Sequence, residues 1–185
     1  MTLFGASYNK KFMRLFAFLL LFIGVAFGHE GHASLLAEGE LGRPTSWWQW
    51  IGAYHVILVH FPIGLIVFTA IAELLFTCTK NSLYDSAAKF MLNSAAVIIV
   101  PIAILGLIYS QTGTYDGAMG TLLTLHMLSG IALSLLTIAT AYVRSREGRS
   151  YIYLTLIVIL FLLVIVTGYL GGAMVYGPFH FLPPS

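Results

Sequence analysis

The chain has 185 residues, of which 59% are hydrophobic and 9% charged, with a formal net charge of +2. A soluble domain carries roughly 25% charged residues, so this composition describes an integral membrane protein, leaves little material for a soluble domain, and excludes a nucleic-acid binder. The single cysteine, Cys78, excludes an intramolecular disulfide and the Cys-x-x-Cys-His attachment of c-type haem.

In chain order, residues 1–28 read as a secretory signal. Lys10, Lys11 and Arg14 form its basic region, Leu15 to Phe27 its apolar region, and Ala26-Phe27-Gly28 its small-x-small cleavage site. An uncleaved fifth helix is the alternative, but the apolar run is short for a full span. Residues 29–46, polar and glycine-containing, read as a periplasmic linker; its His29 and His32 would sit at the mature N-terminus, where they are either copper ligands or ordinary linker residues.

A transmembrane domain over 47–181 and a tail at 182–185 complete the chain. Its apolar segments run from about Ile51 to Thr77, Ala87 to Tyr109, Ala118 to Val143 and Tyr151 to Val175. Each exceeds the roughly 20 residues that cross a hydrocarbon core as a helix, and lipid offers no partner to any other exposed backbone. Short loops then predict an all-α, up-down four-helix bundle. Pro62 and Pro101 are expected to kink their helices.

Lys80, Lys89, Arg144, Arg146 and Arg149 cluster at two connections, whereas Ser110 to Gly117 and the tail after Val175 carry no basic residue. The positive-inside rule puts the basic connections in the cytoplasm. A bacterial inner-membrane protein with both mature termini periplasmic follows. Trp47, Trp48 and Trp50 fall where an outer aromatic belt belongs.

Ionisable residues within a membrane span are functional candidates by default. His60 and His126 lie about nine and eight residues into the first and third spans, roughly 13 and 12 Å deep. Each is followed four residues later by glycine, Gly64 and Gly130, on the same helix face. Two imidazoles at matched depth on parallel helices suit the axial positions of one haem iron, with the glycines leaving room for the macrocycle. The bland alternative is a histidine that hydrogen-bonds a neighbouring helix beside glycines that serve close packing.

His55 and His180 form a shallower set, for a second haem, a propionate contact, a quinone pocket, or an interface without a ligand. His55 stands about 140° from His60 around a helix, so the two do not share one iron. Gln111, Tyr115 and Tyr176 are further polar groups at the outer end that could meet propionates. Glu73, near the inner end of the first span, is either a proton-uptake group or an interfacial carboxylate that reaches water. Each half of the chain opens on His-x-x-x-Gly. The halves close on Gly106, Tyr109, Gly113, Tyr115 and on Gly168, Tyr169, Gly172, Tyr176, a faint two-helix repeat.

The string Tyr54-His55-Val56-Ile57-Leu58-Val59-His60-Phe61-Pro62-Ile63-Gly64-Leu65 and the ending Thr167-Gly168-Tyr169-Leu170-Gly171-Gly172-Ala173-Met174-Val175-Tyr176-Gly177 resemble a bacterial family of four-helix membrane proteins, domain of unknown function 2231. The resemblance covers about Trp47 to Phe181. This chain departs from the family at His55-Val56, where His-Pro is common. The resemblance implies a b-type cytochrome-like protein, and relatives occur beside or fused to cytochrome c domains.

These readings converge on a membrane electron carrier holding haem b between His60 and His126. Its expected partners are the lipid bilayer, a quinol, and a periplasmic cytochrome or larger respiratory complex. Two other classes remain open: a metal-ion handling or transport protein using His29, His32, His55 and His180, and a cofactor-free scaffold or anchor subunit. The spans lack the methionine and cysteine pairs that soft metals favour. No nucleophile-base set or phosphate loop points to a hydrolase or kinase; the chain is either a redox enzyme itself or the redox subunit of a larger oxidoreductase.

Overall fold

The computed structural model describes Pro44 and residues 46–179, all within the unit Glu40–Ser185. The signal segment, most of the linker with His29 and His32, His180 and the tail lie outside the described residues.

Five helices form four spans: α1 (Trp47–Leu58), α2 (His60–Thr79), α3 (Ser82–Ser110), α4 (Gly117–Glu147) and α5 (Tyr151–Tyr176). α1 and α2 together make one candidate span, and each of the others makes one. The described residues are therefore all-α, in a membrane protein with four spanning helices, as expected, but the first three spans begin earlier than the apolar runs, while the fourth begins at Tyr151 as read from sequence. Polar caps set their starts. The side chains of Ser46, Asn81 and Ser150 accept hydrogen bonds from the amides of Gln49, Leu83 and Tyr153, which satisfies donors that a helix N-terminus leaves orphaned. Asp85 in the first turn of α3, and Arg144 and Arg146 in the last turn of α4, also suit the helix dipole. Lys80 turns the chain between α2 and α3 in the left-handed region, at φ 56°.

The first span is interrupted at Val59. Pro62 has no amide hydrogen for the carbonyl of Leu58, and its ring crowds that carbonyl; α1 ends at Leu58. Pro101 lies within α3, and the helix runs on through it.

α3 packs on α1, α2 and α4, while α5 packs on α4 and α2. Spans one and three are thus diagonal in the bundle. α1 makes no backbone contact with α5 among the described residues, so spans one and four meet towards the arginine-bearing end and part towards the tryptophan-bearing end.

The buried positions repeat. Pro62, Ile66, Thr69 and Glu73 in α2 are buried, as are Leu133, Thr137, Thr140 and Arg144, each 71 positions later, in α4. Ala88, Leu92, Ala95, Ile99 and Ile102 in α3 match Tyr153, Ile157, Leu160, Val164 and Thr167 in α5, each 65 positions later. The two helix pairs are therefore parallel repeats of one packing scheme, the arrangement that an axis along the membrane normal relates.

At the tryptophan-bearing end α1 and α3 approach closely. A Cβ at Gly52 would sit 2.9 Å from both the amide nitrogen and Cα of Tyr109. Backbone cannot yield as a side chain does. Gly52→Ala is expected to push the helices apart and cost about 1–3 kcal/mol, measured as a loss in detergent-phase unfolding; unchanged stability would refute this close contact.

Candidate functional site

The histidine that the fold sets beside His126 is His55. Their ring centres are 6.5 Å apart and the ring planes cross at 79°. This departs from the expected pairing of His60 with His126, and the reason is helix register. Because α1 starts at Trp47, His55 lies about 12 Å along the first span, His126 about 14 Å along the third, and His60 about 20 Å along the first. His60 is also turned outward: it is exposed, and its Nδ1 lies 3.1 Å from the carbonyl oxygen of Ile57 on the preceding turn.

Each inner histidine is held in the same way. His55 Nδ1 is 2.8 Å from the Ile102 carbonyl oxygen, and His126 Nδ1 is 3.1 Å from that of Thr167. A carbonyl only accepts, so in the neutral ring the proton sits on Nδ1 and Nε2 keeps its lone pair. One turn beyond each carbonyl stands a glycine against the ring. A Cβ at Gly106 would lie 2.8 Å from His55 Cε1, and one at Gly171 would lie 3.2 Å from His126 Cε1. Ile102 and Thr167 are themselves counterparts in the repeat, so the site consists of two equivalent half-sites facing each other across the bundle.

Thr167 adds an anomaly. It is 5% exposed, and its Oγ1 is buried with no partner. Most buried hydroxyls of the bundle donate to a carbonyl one turn back, as in Thr69 to Leu65, Thr137 to Leu133 and Thr140 to Leu136. The exception belongs to the residue whose carbonyl holds His126.

Gly64 and Gly130, expected to leave space beside the histidines, do have open space: nothing lies within 4 Å of a Cβ built at either. Gly130 follows His126 by one turn, while Gly64 follows the outward-facing His60. The pair of glycines that contact imidazoles, Gly106 and Gly171, was not singled out from sequence as site residues. The signal was available in the equal 18-residue spacings from His55 to Glu73 and from His126 to Arg144, which fix the repeat register on His55.

At the opposite end the same register builds an ionic lock. Glu73 accepts from Arg149 Nε at 2.7 Å and from the Tyr153 hydroxyl at 2.7 Å. Arg144 pairs with Asp85, and its guanidinium lies 5.0 Å over the Tyr153 ring. Glu73, expected near the interface, is only 3% exposed and is fully engaged in this network. Among the described residues no group of three or more histidine, cysteine, aspartate or glutamate side chains is placed to hold a metal ion.

Residues 52–178 match the model of a family described as "Predicted membrane protein (DUF2231)". No curated protein and no solved structure matches the chain.

Proposed function

The chain belongs to the DUF2231 family of predicted membrane proteins, and we propose that it is a b-type cytochrome-like electron-transfer protein whose haem is held by His55 and His126. The observation that carries this reading is the facing pair of carbonyl-fixed imidazoles. Two imidazoles bound through nitrogen at about 2 Å to one metal ion have ring centres on the order of 6 Å apart, close to the 6.5 Å seen here. His55 and His126 would hold haem iron, which needs few donors from the protein because the porphyrin supplies the others. The unpartnered Thr167 hydroxyl and the parting of α1 from α5 support a ligand at this place.

When bound, the group supplies a one-electron couple at its iron. The protein's part is orientation and exclusion of water. Ile102 and Thr167 fix the imidazole tautomers, a supporting interaction that also raises ligand basicity. The apolar spans surround the site with low dielectric. We place the tryptophan-bearing end at the periplasmic face of a bacterial inner membrane and the arginine-bearing end in the cytoplasm, following the loop charges. A site near the periplasmic face suits exchange between a membrane quinol and a periplasmic cytochrome, with the chain serving as redox subunit of a larger oxidoreductase.

The test is a spectrum of detergent-purified protein, oxidised and dithionite-reduced, with a pyridine haemochrome assay and metal analysis. The expected result is a reduced b-type spectrum that is lost in His55→Ala and His126→Ala and retained in His60→Ala. Loss only in His60→Ala would overturn the assignment of ligands. Folded protein without haem, after haem supplementation, would overturn the electron-carrier reading, and bound copper in that preparation would favour metal handling instead.

A further inference from the structure

We infer that Gly106 and Gly171 are positioning residues that hold the imidazoles of His55 and His126 in crossed planes, so that the site takes its iron porphyrin with both axial positions filled and closed to added ligands. This rests on the haem reading above. The geometry beneath it does not: it is the cradle around each ring.

A carbonyl and a glycine four residues apart lie on one face of a helix, one turn above the other. On α3 the Ile102 carbonyl anchors His55 Nδ1, and Gly106 forms the floor beneath the ring. A Cβ there would meet Cε1 at 2.8 Å, Nδ1 at 2.9 Å and Nε2 at 3.1 Å. Contact with three ring atoms means that the ring lies over the glycine and cannot turn towards it. On α5 the Thr167 carbonyl and Gly171 do the same for His126, with looser approaches of 3.2 Å to Cε1 and 3.6 Å to Nδ1. Each ring's rotation is thus set by a different helix, and the repeat that relates the cradles leaves the planes 79° apart.

Ring rotation has an electronic consequence. Each axial imidazole interacts mainly with the iron d orbital perpendicular to its own plane. Parallel rings act on the same orbital and split the pair, whereas crossed rings act on one each and leave the pair nearly equal in energy. The low-spin ferric state then has an unusually anisotropic magnetic signature.

The experiment is low-temperature electron paramagnetic resonance of the oxidised, haem-loaded full chain, with optical spectra of the reduced protein before and after carbon monoxide. The same measurements are made on Gly106→Ala and Gly171→Ala. The unaltered protein should give one strongly low-field-shifted low-spin resonance in place of a three-line rhombic spectrum, and no carbon monoxide shift. Gly106→Ala should lose that resonance, becoming rhombic or high-spin and open to carbon monoxide. Gly171→Ala, where the approach is looser and folding is less at risk, should shift it in the same direction. A rhombic signal or carbon monoxide binding in the haem-loaded unaltered protein would overturn this inference and leave the haem reading standing. The unaltered signal persisting in both haem-loaded variants would remove the glycines from the positioning role. Protein that takes up no haem would sink both proposals together.

Discussion

Replacing Arg149 with leucine is expected to lower the unfolding free energy by about 3 kcal/mol, the lower end of what breaking a buried ion pair costs. The Glu73 side chain is 4% exposed, and among the described residues Arg149 is its one cationic partner. Arg149 also reaches the Glu73 carbonyl oxygen at 3.4 Å and the Thr77 hydroxyl, and lies 4.8 Å over the Phe76 ring. Without the guanidinium the carboxylate keeps only the Tyr153 hydrogen bond, too little for a buried charge. The lower end applies because the Arg149 side chain is 21% exposed, so water already screens part of the pair. Glu73→Leu should cost less, since the guanidinium it abandons can turn to water. Glu73→Leu with Arg149→Leu should recover most of the loss, because an apolar pair replaces a charged one. Detergent-phase unfolding of the two single variants and the double variant closes the cycle. An Arg149→Leu loss below about 1 kcal/mol, the range of an exposed pair, would mean that Glu73 is not sealed from solvent.

The contrast between what the sequence disclosed and what it hid follows from the same residues. Long apolar runs bounded by polar loops are a one-dimensional signal, and the spans appear where hydropathy puts them. Their starts were displaced because capping is decided by single polar residues. Ser46 begins the first helix at Trp47 rather than Ile51, and Asn81 begins the third at Ser82 rather than Ala87. That displacement is one turn of helix, enough to exchange His60 for His55 as the neighbour of His126. The repeat was visible as His-x-x-x-Gly in both halves, but this motif aligns His60 with His126. The longer spacing from histidine to the buried charge, His55 to Glu73 and His126 to Arg144, aligns His55 with His126, in register with the buried positions. The lock itself was hidden because its partners are 76 and 59 positions apart, and only folding brings them together. Its charges are divided between the repeats: Glu73 and Asp85 come from the first, Arg144 and Arg149 from the second. Like halves would repel, so the division specifies which half packs on which.

Tyr153 links the two ion pairs, and its substitutions should separate packing from hydrogen bonding. The side chain is fully buried. Its hydroxyl donates to Glu73 Oε1 at 2.7 Å, and its ring lies 5.0 Å beneath the Arg144 guanidinium. Tyr153→Phe removes only the hydroxyl. A hydrogen bond to a charged acceptor is worth about 1.5–3 kcal/mol, and a loss of about 2 kcal/mol is expected. Tyr153→Ala also removes the ring, which leaves a cavity and takes away the aromatic face under Arg144. Arg144 is 8% exposed with its Nε already unpartnered, so it has little else to turn to. Burying a side chain away from lipid gains little transfer energy, but the lost dispersion contacts still count. The expected total is about 4 kcal/mol, within the range for large-to-small core substitutions. Tyr153→Phe combined with Arg149→Leu should cost more than the sum of its parts, because each single variant leaves Glu73 one partner and the double variant leaves it none. Strict additivity in detergent-phase unfolding would show that the two hydrogen bonds act independently; a smaller combined cost would mean that the Tyr153 hydroxyl contributes to stability only while Arg149 is in place.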